Sequence, residues 1–299
     1  MADTVALVVR CFNEEAHIGR LLAGVERQTR RPDEIIVVDS GSTDATLSIA
    51  SAFKGVSVVG VAPDHFSFGH ALNLGIAEAK ADICVFASAH VYPVYDTWVE
   101  HLIAPFDDRD VACTYGRQVT QPEGRFSERR LLEQWFPAAS VRRQRDPFCN
   151  NANAAIRRTV WRELPYDEYL TGLEDLDWAK RALERGHVLS YVAEAPIIHV
   201  HDEGFKEIQN RYRREAIAHK AIYQEQHVSW KGALKMLTFN VVGDLREARR
   251  AGVLADQASE VLRFRSAQFL GTYQGFNQSG PVTEVLKRRF YYPSSPAAP

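Results

Sequence analysis

Residues 35–44 read IIVVDSGSTD and contain the pattern on which the predicted fold rests. The four apolar β-branched residues predict a short strand that is buried on both faces. The hydroxyl and carboxyl side chains from Ser40 to Asp44 are typical of a turn and of the first residues of a helix. A helix is then predicted from the apolar positions Ala45, Ile49 and Ala52.

The same strand–turn–helix unit recurs through the first half of the chain. Further strands are predicted at Val5–Val9, Val56–Ala62 and Ile83–Ala87, with amphipathic helices between them. This alternation implies right-handed crossovers and an α/β fold with a mainly parallel sheet covered by helices on both faces. Because ligands bind at the carboxyl ends of such strands, the candidate site segments are 10–15, 39–44 and 88–90.

The second half of the chain is less regular. A strand is predicted near Val111–Gly116, and the Asn-rich segment 149–153 is expected to form a loop. Thr171 and Glu174 match the pattern of a capping box, which predicts a helix that ends at Gly186. Strands are predicted at 188–192 and 196–200, and the chain from residue 205 onward is mostly helical and amphipathic.

Composition excludes several classes of protein. The chain has 299 residues, 45% of them hydrophobic and 25% charged, and its formal net charge is -2. Its length permits a large apolar core, and the charge balance argues against a dedicated nucleic-acid binder. No apolar run approaches the roughly 20 residues of a membrane span, and the beginning of the chain lacks the pattern of a signal peptide, so we expect a cytoplasmic protein. Four widely spaced cysteines, with no Cys-x-x-Cys pair, indicate free buried thiols.

Five segments match one family pattern in order. They are Val8–Glu15, Val37–Asp44, Phe86–His90, Gly172–Asp177 and His199–His201. Over roughly residues 4–215 the chain therefore resembles the family 2 glycosyltransferases, which have the GT-A fold. The bacterial rhamnosyltransferase-type branch is the part of the family that the chain resembles most. This resemblance rests on the sequence of residues 39–44, the triplet 116–118 and the His-x-His motif.

The resemblance also implies a domain organisation. We expect a GT-A-like domain over 1–203, with a nucleotide-sugar half at 1–116 and an acceptor half at 117–203. A helical C-terminal region is expected over 204–292. The Pro/Ser/Ala-rich residues 293–299 predict a disordered tail.

The family pattern implies roles for several polar residues. Asp175 corresponds to the catalytic base, because inverting transfer needs a carboxylate to deprotonate the acceptor hydroxyl. Asp39 is expected to contact the nucleobase, and the loop of Asn13 and Glu14 to lie against the nucleoside. The nucleotide-binding set is completed by Arg10, Ser88 and His90. The residues themselves leave an alternative, since Asn13 could cap a helix and acidic residues are favoured in a first helical turn.

Ser88-Ala89-His90 departs from the family pattern. Most relatives have Asp-x-Asp here, whose carboxylates hold a divalent ion against the donor diphosphate. Mn²⁺ or Mg²⁺ could instead be held by His90, His199 and His201, although structural roles for these histidines stay open. Without a metal ion, the diphosphate would need other positive charge, for which Arg117 and Arg211 are candidates.

Acceptor or sugar contacts are expected from Asn151, Asn153, Glu174 and Trp178, because amides and carboxylates bind hydroxyls and aromatic faces stack on sugar rings. Turn formation, helix capping and core packing are the alternatives for the same residues. The C-terminal helices, with segment 230–237 rich in Trp, Leu and Lys, could contact the inner face of a membrane or a second copy.

Together these observations predict an inverting glycosyltransferase of bacterial-type surface polysaccharide synthesis. Its expected substrates are a nucleoside diphosphate sugar and a glycan or lipid-linked acceptor. A sugar-nucleotide nucleotidyltransferase and a non-catalytic nucleotide-sugar binding protein are the alternatives. A nucleotidyltransferase usually has a Gly-rich basic loop after the first strand, and residues 10–15 of this chain do not have that pattern. The intact Glu174 and Asp175 argue against a non-catalytic binding protein.

Overall fold

The computed structural model describes residues 3–292, so the tail predicted at 293–299 lies outside the described residues. The chain divides into two compact units. Unit 1 comprises Met1–Glu123, Leu132–Tyr169 and Glu174–His201. Unit 2 comprises Gly124–Leu131, Leu170–Leu173 and Asp202–Pro299.

Within the described residues, unit 1 contains a nine-stranded sheet. Its strands are β1 Val5–Cys11, β2 Glu34–Asp39, β3 Val56–Gly60, β4 Ile83–Ser88, β5 Val91–Pro93, β6 Val111–Thr120, β7 Val141–Gln144, β8 Asn153–Arg157 and β9 Val188–His199. The strand order is β3-β2-β1-β4-β8-β6-β9-β5, and β7 also pairs with β9.

The strand directions make this a mixed sheet. The first four strands of the predicted nucleotide-sugar half, in the order β3-β2-β1-β4, are parallel. Strand β8 runs antiparallel to both β4 and β6, and β5 and β7 run antiparallel to β9. The two strands expected at 188–192 and 196–200 are one continuous strand, and residue 153 of the expected loop begins β8.

Helices cover the sheet and form most of unit 2. In chain order they are α1 Ile18–Glu26, α2 Thr46–Ser51, α3 Phe68–Glu78, α4 Trp98–Ile103, α5 Phe126–Trp135, α6 Arg158–Glu163, α7 Glu174–Glu184, α8 Phe205–Ile222, α9 Trp230–Arg250, α10 Leu254–Phe276 and α11 Glu284–Tyr291. Among residues 3–292, no helix combines the length and the apolar character that a transmembrane segment requires.

The core of unit 1 lies on both faces of the sheet. Along β1, Ala6 and Val8 belong to one apolar cluster, whereas Leu7 and Val9 belong to the other. This division follows from the two-residue period of a strand. Helix α3 packs against the first cluster so closely that a Cβ on Gly75 would lie 2.4 Å from the Val8 side chain. Burial on both faces leaves the ends of the strands as the places where polar side chains can reach solvent.

Unit 2 has its own core. Residues from α5, α8 and α10 form a buried apolar cluster: Leu131, Ile208, Tyr212, Phe264 and Ala267. Helices α9 and α10 are joined by a buried ion pair in which Arg265 Nε lies 2.8 Å from Asp244 Oδ2.

Strand order places a crevice at the end of β1. The chain passes from β1 to β2 and β3 on one side and then adds β4 on the other. Such a reversal separates the loops that leave neighbouring strands, which is where open α/β sheets bind ligands. The register sets Arg10 opposite Ser88 and Cys11 opposite Asp39, so the predicted segments 10–15, 39–44 and 88–90 meet at this edge.

The Asn153 side chain lies at the centre of the sheet and is fully buried. Its Oδ1 accepts a hydrogen bond from Trp98 Nε1 at 2.8 Å, and its Nδ2 donates to the carbonyls of Arg117 and Ala195 at 3.0 and 2.9 Å. One amide therefore joins α4, β6 and β9. All of its polar groups are used within the interior, which contradicts the expectation that Asn153 binds sugar.

Asn153→Ala should reduce the free energy of unfolding by about 3 kcal/mol, because it leaves three buried polar groups without a partner. Chemical denaturation followed by circular dichroism measures this loss. Asn150→Ala is the matched control, since it removes one bond to the Ala152 amide and should reduce stability by only about 1 kcal/mol. Equal effects in the two variants would contradict the assigned role.

Candidate functional site

The loop after β1 is fastened to the loop after β2. The backbone amides of Asn13, Glu14 and Glu15 donate to the side chains of Ser42, Thr46 and Asp44, respectively. In return, Asn13 Oδ1 accepts from the Thr43 amide at 2.8 Å. Side chains between Ser42 and Thr46 therefore fix the position of the neighbouring loop. Asn13 does not cap α1, which begins at Ile18, so that alternative was wrong.

Two non-glycine residues with left-handed backbone geometry occur among the described residues, and both adjoin predicted site residues. They are Asn13, with φ of 52°, and Leu173, with φ of 55°. Asn tolerates this conformation, but for Leu it is strained. The strain at residue 173 falls immediately before Glu174 and Asp175, the first residues of α7. Such strain is concentrated at functional sites, where surrounding contacts maintain it.

The Asp39 carboxylate closes the turn that follows β2. It accepts hydrogen bonds from the amides of Gly41 and Ser42, both at 3.0 Å, and from the Ser42 hydroxyl. The side chain is buried at the end of its strand. These bonds hold the carboxylate in a fixed orientation beside the crevice. Its predicted contact with a nucleobase stays a prediction.

Arg10 connects the nucleotide half of the site to α7. Its guanidinium lies 3.1 Å from Glu174 Oε1 and stacks over the Phe68 ring, 5.0 Å from the ring centre. Glu174 is buried, and its Oε1 also lies 3.5 Å from Asn151 Nδ2. The ion pair compensates a buried carboxylate and positions the start of α7. The expected contacts of Glu174 and Asn151 with sugar stay predictions.

Asp175 follows directly and lies deep in the site with part of its surface exposed. Its Oδ1 accepts from the Leu176 amide at 2.8 Å, and its Oδ2 accepts from the Asn151 amide at 3.2 Å. Burial and the neighbouring Glu174 carboxylate raise the pKa of Asp175 from its ordinary value of 3.8 to about 7. A carboxyl group with this pKa can accept and release a proton near neutral pH.

His90, His199 and His201 form a cluster in unit 1. Strand β5 pairs with the end of β9, and the Val200 amide donates to the His90 carbonyl at 3.1 Å. The rings of His90 and His199 stack with their centres 5.1 Å apart, and the centres of His199 and His201 are 4.0 Å apart. One nitrogen from each of the three rings lies within 4.8 Å of the others.

Two acceptors orient these rings. His90 Nδ1 lies 2.6 Å from Glu14 Oε1, and His199 Nδ1 lies 2.8 Å from Gln118 Oε1. A carboxylate or an amide oxygen can only accept, so Nδ1 is the donor in both contacts. This arrangement of a histidine with an acceptor behind it is typical of metal ligands.

The cluster fits a divalent ion of intermediate hardness. Three nitrogens spread evenly around one ion at roughly 2.1 Å are at most about 3.6 Å apart, so each ring nitrogen would have to move by up to about 0.7 Å to share one ion. An all-imidazole donor set suits transition metals, whereas Mg²⁺ prefers oxygen ligands. The three histidines could therefore hold such an ion.

Two other residues, Trp178 and Arg211, are not placed for the sugar and diphosphate contacts that were predicted for them. Trp178 is fully buried and donates its Nε1 hydrogen to the Leu164 carbonyl at 2.6 Å, which contradicts its expected stacking on a sugar. Arg211 belongs to unit 2, where its guanidinium pairs with Glu203 and Glu128. That pairing neutralises Arg211 and does not support the expected contact with a diphosphate.

Arg117 and Ser88 stay candidates. Arg117 lies at an irregularity in the pairing of β6 with β9, and its buried Nε has no hydrogen-bond partner among the described residues. Ser88 is half-buried at the end of β4, opposite Arg10. Both positions can offer polar groups at the edge of the sheet.

Sequence reasoning did not assign a role to Gln118, Tyr166 or Cys149. Gln118 stood in the family triplet, but its hydrogen bond to His199 depends on the pairing of β6 with β9. Tyr166 donates its hydroxyl hydrogen to Asn151 Oδ1 at 3.1 Å, and Cys149 donates to the Asp175 carbonyl at 3.3 Å. No local signal could have identified these contacts, because they join segments that are distant in sequence.

Residues 6–164, more than half of the chain, match the family described as Glycosyl transferase family 2. The chain belongs to this family. It is therefore a glycosyltransferase, as the motifs predicted, and the family match favours sugar transfer over nucleotide transfer. Over 229 residues this glycosyltransferase is 26% identical to the O-antigen chain rhamnosyltransferase RfbN of Salmonella typhimurium, with 72% of each chain covered.

Solved structures of low sequence identity share the fold. The mannosyltransferase PcManGT from Pyrobaculum calidifontis, solved with GDP-Man and Mn²⁺, aligns with a TM-score of 0.65 at 17% identity, covering 92% of this chain and 87% of its own. Glucosyl-3-phosphoglycerate synthase from Mycobacterium tuberculosis, solved with Mn²⁺, UDP and phosphoglyceric acid, aligns with a TM-score of 0.55 at 21% identity, covering 74% and 78%. These likenesses confirm the GT-A fold.

The raised pKa of Asp175 should make stability depend on pH. The folded protein binds this proton more tightly than the unfolded chain, so the carboxylate reduces stability as the pH rises from about 4 through about 7. Asp175→Asn removes the effect. Its free energy of unfolding, measured relative to wild type, should increase by on the order of 4 kcal/mol between pH 4 and pH 8.

Asp177→Asn is the control for this measurement. Asp177 lies on the same helix but pairs with Arg181, whose Nε is 2.6 Å from Asp177 Oδ2. Its substitution should give no such increase over the same pH range. A flat difference for Asp175→Asn would show that the Asp175 carboxyl group is not held in an environment that favours its protonated form.

Proposed function

We propose that this glycosyltransferase moves a sugar, with inversion, from a nucleoside diphosphate donor to a hydroxyl of a glycan or lipid-linked acceptor in surface polysaccharide synthesis. The observation that carries the proposal is Asp175, a deep carboxyl group with a pKa of about 7 at the crevice beside β1 and β4. The similarity to an O-antigen chain rhamnosyltransferase supports the acceptor class.

In the proposed reaction, the oxygen of the acceptor hydroxyl attacks the anomeric carbon of the donor sugar, and Asp175 accepts the proton of that hydroxyl. The new carbon–oxygen bond forms on the face opposite the diphosphate. The old bond to the phosphate oxygen breaks, and the nucleoside diphosphate leaves with that electron pair. A single displacement of this kind inverts the configuration at the anomeric carbon.

The residues around Asp175 keep it in place for this step. The amides of Asn151 and Leu176 each direct one hydrogen at the carboxylate, and Tyr166 fixes the side chain of Asn151. The Arg10 ion pair compensates Glu174. Without the ion pair, the buried Glu174 carboxylate would raise the pKa of Asp175 further, and a smaller fraction of Asp175 would be deprotonated.

The nucleoside is proposed to lie on the fastened loops that follow β1 and β2. Asp39 presents a buried, oriented carboxylate at the end of β2, suited to accept from an N–H of a base. In the loop beside it, Asn13 is exposed and Glu14 is half-buried, and the hydroxyls of Ser42 and Thr46 hold both backbone amides. A preformed surface of this kind reduces the ordering that donor binding requires.

A divalent ion is proposed to bind His90, His199 and His201, with Mn²⁺ preferred to Mg²⁺ because the donor atoms are nitrogens. When bound, such an ion supplies positive charge beside the leaving diphosphate. Glu14 and Gln118 hold the rings of His90 and His199 through their Nδ1 atoms. Arg117 is the further candidate for contact with the diphosphate, since its buried Nε has no hydrogen-bond partner among residues 3–292.

Asp175→Asn should reduce sugar transfer at least about 1,000-fold, because the amide cannot accept the proton. In the wild-type protein, kcat should rise with pH through about 7 as Asp175 becomes deprotonated. Radiolabelled nucleotide sugars and a lipid-linked or oligosaccharide acceptor measure both effects, and donor titration by calorimetry should show that Asp175→Asn still binds donor.

Asp177→Asn, which changes the same charge two residues away, should retain transfer within a few-fold. Turnover retained in Asp175→Asn would contradict the assignment of the base. Pyrophosphate release from a nucleoside triphosphate and a sugar phosphate would favour the nucleotidyltransferase instead. Donor binding by wild type without turnover on any acceptor or water would favour the non-catalytic binding protein.

Mn²⁺ should bind the protein in isothermal titration calorimetry, and Mg²⁺ at the same concentration should bind at least tenfold more weakly. His199→Ala and His201→Ala should each reduce the affinity for Mn²⁺ by at least about tenfold. Affinity should fall at low pH, because protonated imidazole cannot bind a metal ion.

His187→Ala provides the control for the metal titration, since this histidine lies outside the cluster. It should leave Mn²⁺ binding unchanged. Equal binding of Mg²⁺ and Mn²⁺, or unchanged Mn²⁺ affinity in His199→Ala, would contradict a metal site built from these three histidines.

A further inference from the structure

Helix α9 of unit 2 exposes several large apolar side chains. Its buried residues are Ala233, Asp244 and Ala248. At 100° per residue, positions 239 and 242 lie opposite these buried residues together with Lys231 and Lys235, whereas positions 230 and 234 flank the buried side. The exposed apolar side chains of α9 are Trp230 at 60%, Leu234 at 53%, Phe239 at 79% and Val242 at 38%. These four residues, with the exposed Lys231 and Lys235 between them, are called the outer face of α9 below.

The charge of the outer face has a single sign. Residues 226–243 contain Lys231 and Lys235 but no Asp or Glu. Asp244, the first acidic residue beyond them, is buried and paired with Arg265. Farther along the same helix, Arg246 and Arg249 are also exposed. The exposed apolar surface is therefore accompanied by positive charge alone over more than three helical turns.

A cleft of about 480 Å³ adjoins this surface. Its walls include Val228, Met236 and Phe239 together with Lys235. A cleft of this size has room for part of an acyl chain beside an ammonium group. Lys231 extends toward the ring of Trp230, with its Nζ 5.7 Å from the ring centre.

We propose that the outer face of α9 docks on the surface of an anionic lipid bilayer. Trp, Leu and Phe side chains enter the boundary between headgroups and acyl chains, and lysines beside them meet lipid phosphates. Exposed apolar area of this extent has no stabilising role within the chain itself. The docking requires neither donor nor acceptor, so it stands apart from the proposed sugar transfer.

A second copy of the chain fits this surface less well. In a two-fold symmetric dimer the same residues would face each other, so Lys231 and Lys235 would meet like charges. The outer face offers no carboxylate to compensate them. An anionic bilayer offers acyl chains to the apolar side chains and phosphates to the lysines, so it fits this surface better than a second copy does.

Co-sedimentation of the full chain with vesicles tests the proposal. Vesicles of phosphatidylcholine with phosphatidylglycerol should bind the protein at low salt, and vesicles of phosphatidylcholine alone should bind it at least tenfold more weakly. Raising the salt concentration should weaken the binding, because lysine–phosphate attraction is screened. Tryptophan emission should shift to the blue on binding, and Trp230→Phe should remove most of that shift.

Two double variants separate the apolar and the basic contributions. Leu234→Ser with Phe239→Ser should reduce vesicle affinity at least tenfold, and Lys231→Gln with Lys235→Gln should reduce it about tenfold or more. The apolar control is Leu262→Ser with Leu270→Ser, at exposed positions of α10. The charge control is Lys54→Gln with Lys80→Gln, at exposed positions of unit 1. Both controls should bind vesicles as wild type does.

Circular dichroism establishes that each variant is folded before vesicles are added. Failure of the wild-type protein to bind anionic vesicles at low salt would overturn the proposal. So would equal losses in the test and control variants. A concentration-dependent dimer in analytical ultracentrifugation that disappears in Leu234→Ser with Phe239→Ser would assign the surface to a second copy and would also overturn it.

Discussion

Burial of the central strands on both faces is the constraint on which the rest of unit 1 depends. Side chains of β1 point alternately into two apolar clusters, which leaves no interior position for charged groups along most of its length. Polar chemistry is therefore confined to the strand ends, and the reversal of strand order between β2, β1 and β4 opens the crevice there. Arg10, Asp39 and Ser88 occupy neighbouring positions at this edge because the register aligns them.

A base that works at neutral pH has to be held where its charged form is disfavoured. Asp175 shows this conflict, because the burial that brings its pKa to about 7 also makes its ionised form unfavourable for folding. Glu174 adds to the effect, and Arg10 limits it through the ion pair. The left-handed backbone at Leu173 is a further strain beside this carboxyl group. Here the proposed function and the stability of the protein make opposing demands on the same residues.

Local patterns predicted the parallel half of the fold because each unit is complete in itself: a buried strand, a polar turn and an amphipathic helix. They failed where pairing overrides local signals. Asn153 stood in a segment rich in turn residues, yet its amide satisfies three partners from distant segments, and it begins a central strand. Trp178 offered an aromatic face on an amphipathic helix, and only tertiary packing shows that this face is internal.

The polar groups at strand ends were predictable from strand order. The partners that orient them, such as Gln118 and Tyr166, were not.

The replacement of Asp-x-Asp by Ser88-Ala89-His90 has an electrostatic consequence for the proposed metal site. Two carboxylates would neutralise a divalent ion, whereas three neutral imidazoles leave its full charge directed at a diphosphate. The same change removes the hard oxygen ligands that favour Mg²⁺. The Glu14 carboxylate lies behind His90 and holds its ring in place. The proposed site would therefore bind Mg²⁺ poorly, but an ion bound there would interact more strongly with the leaving diphosphate.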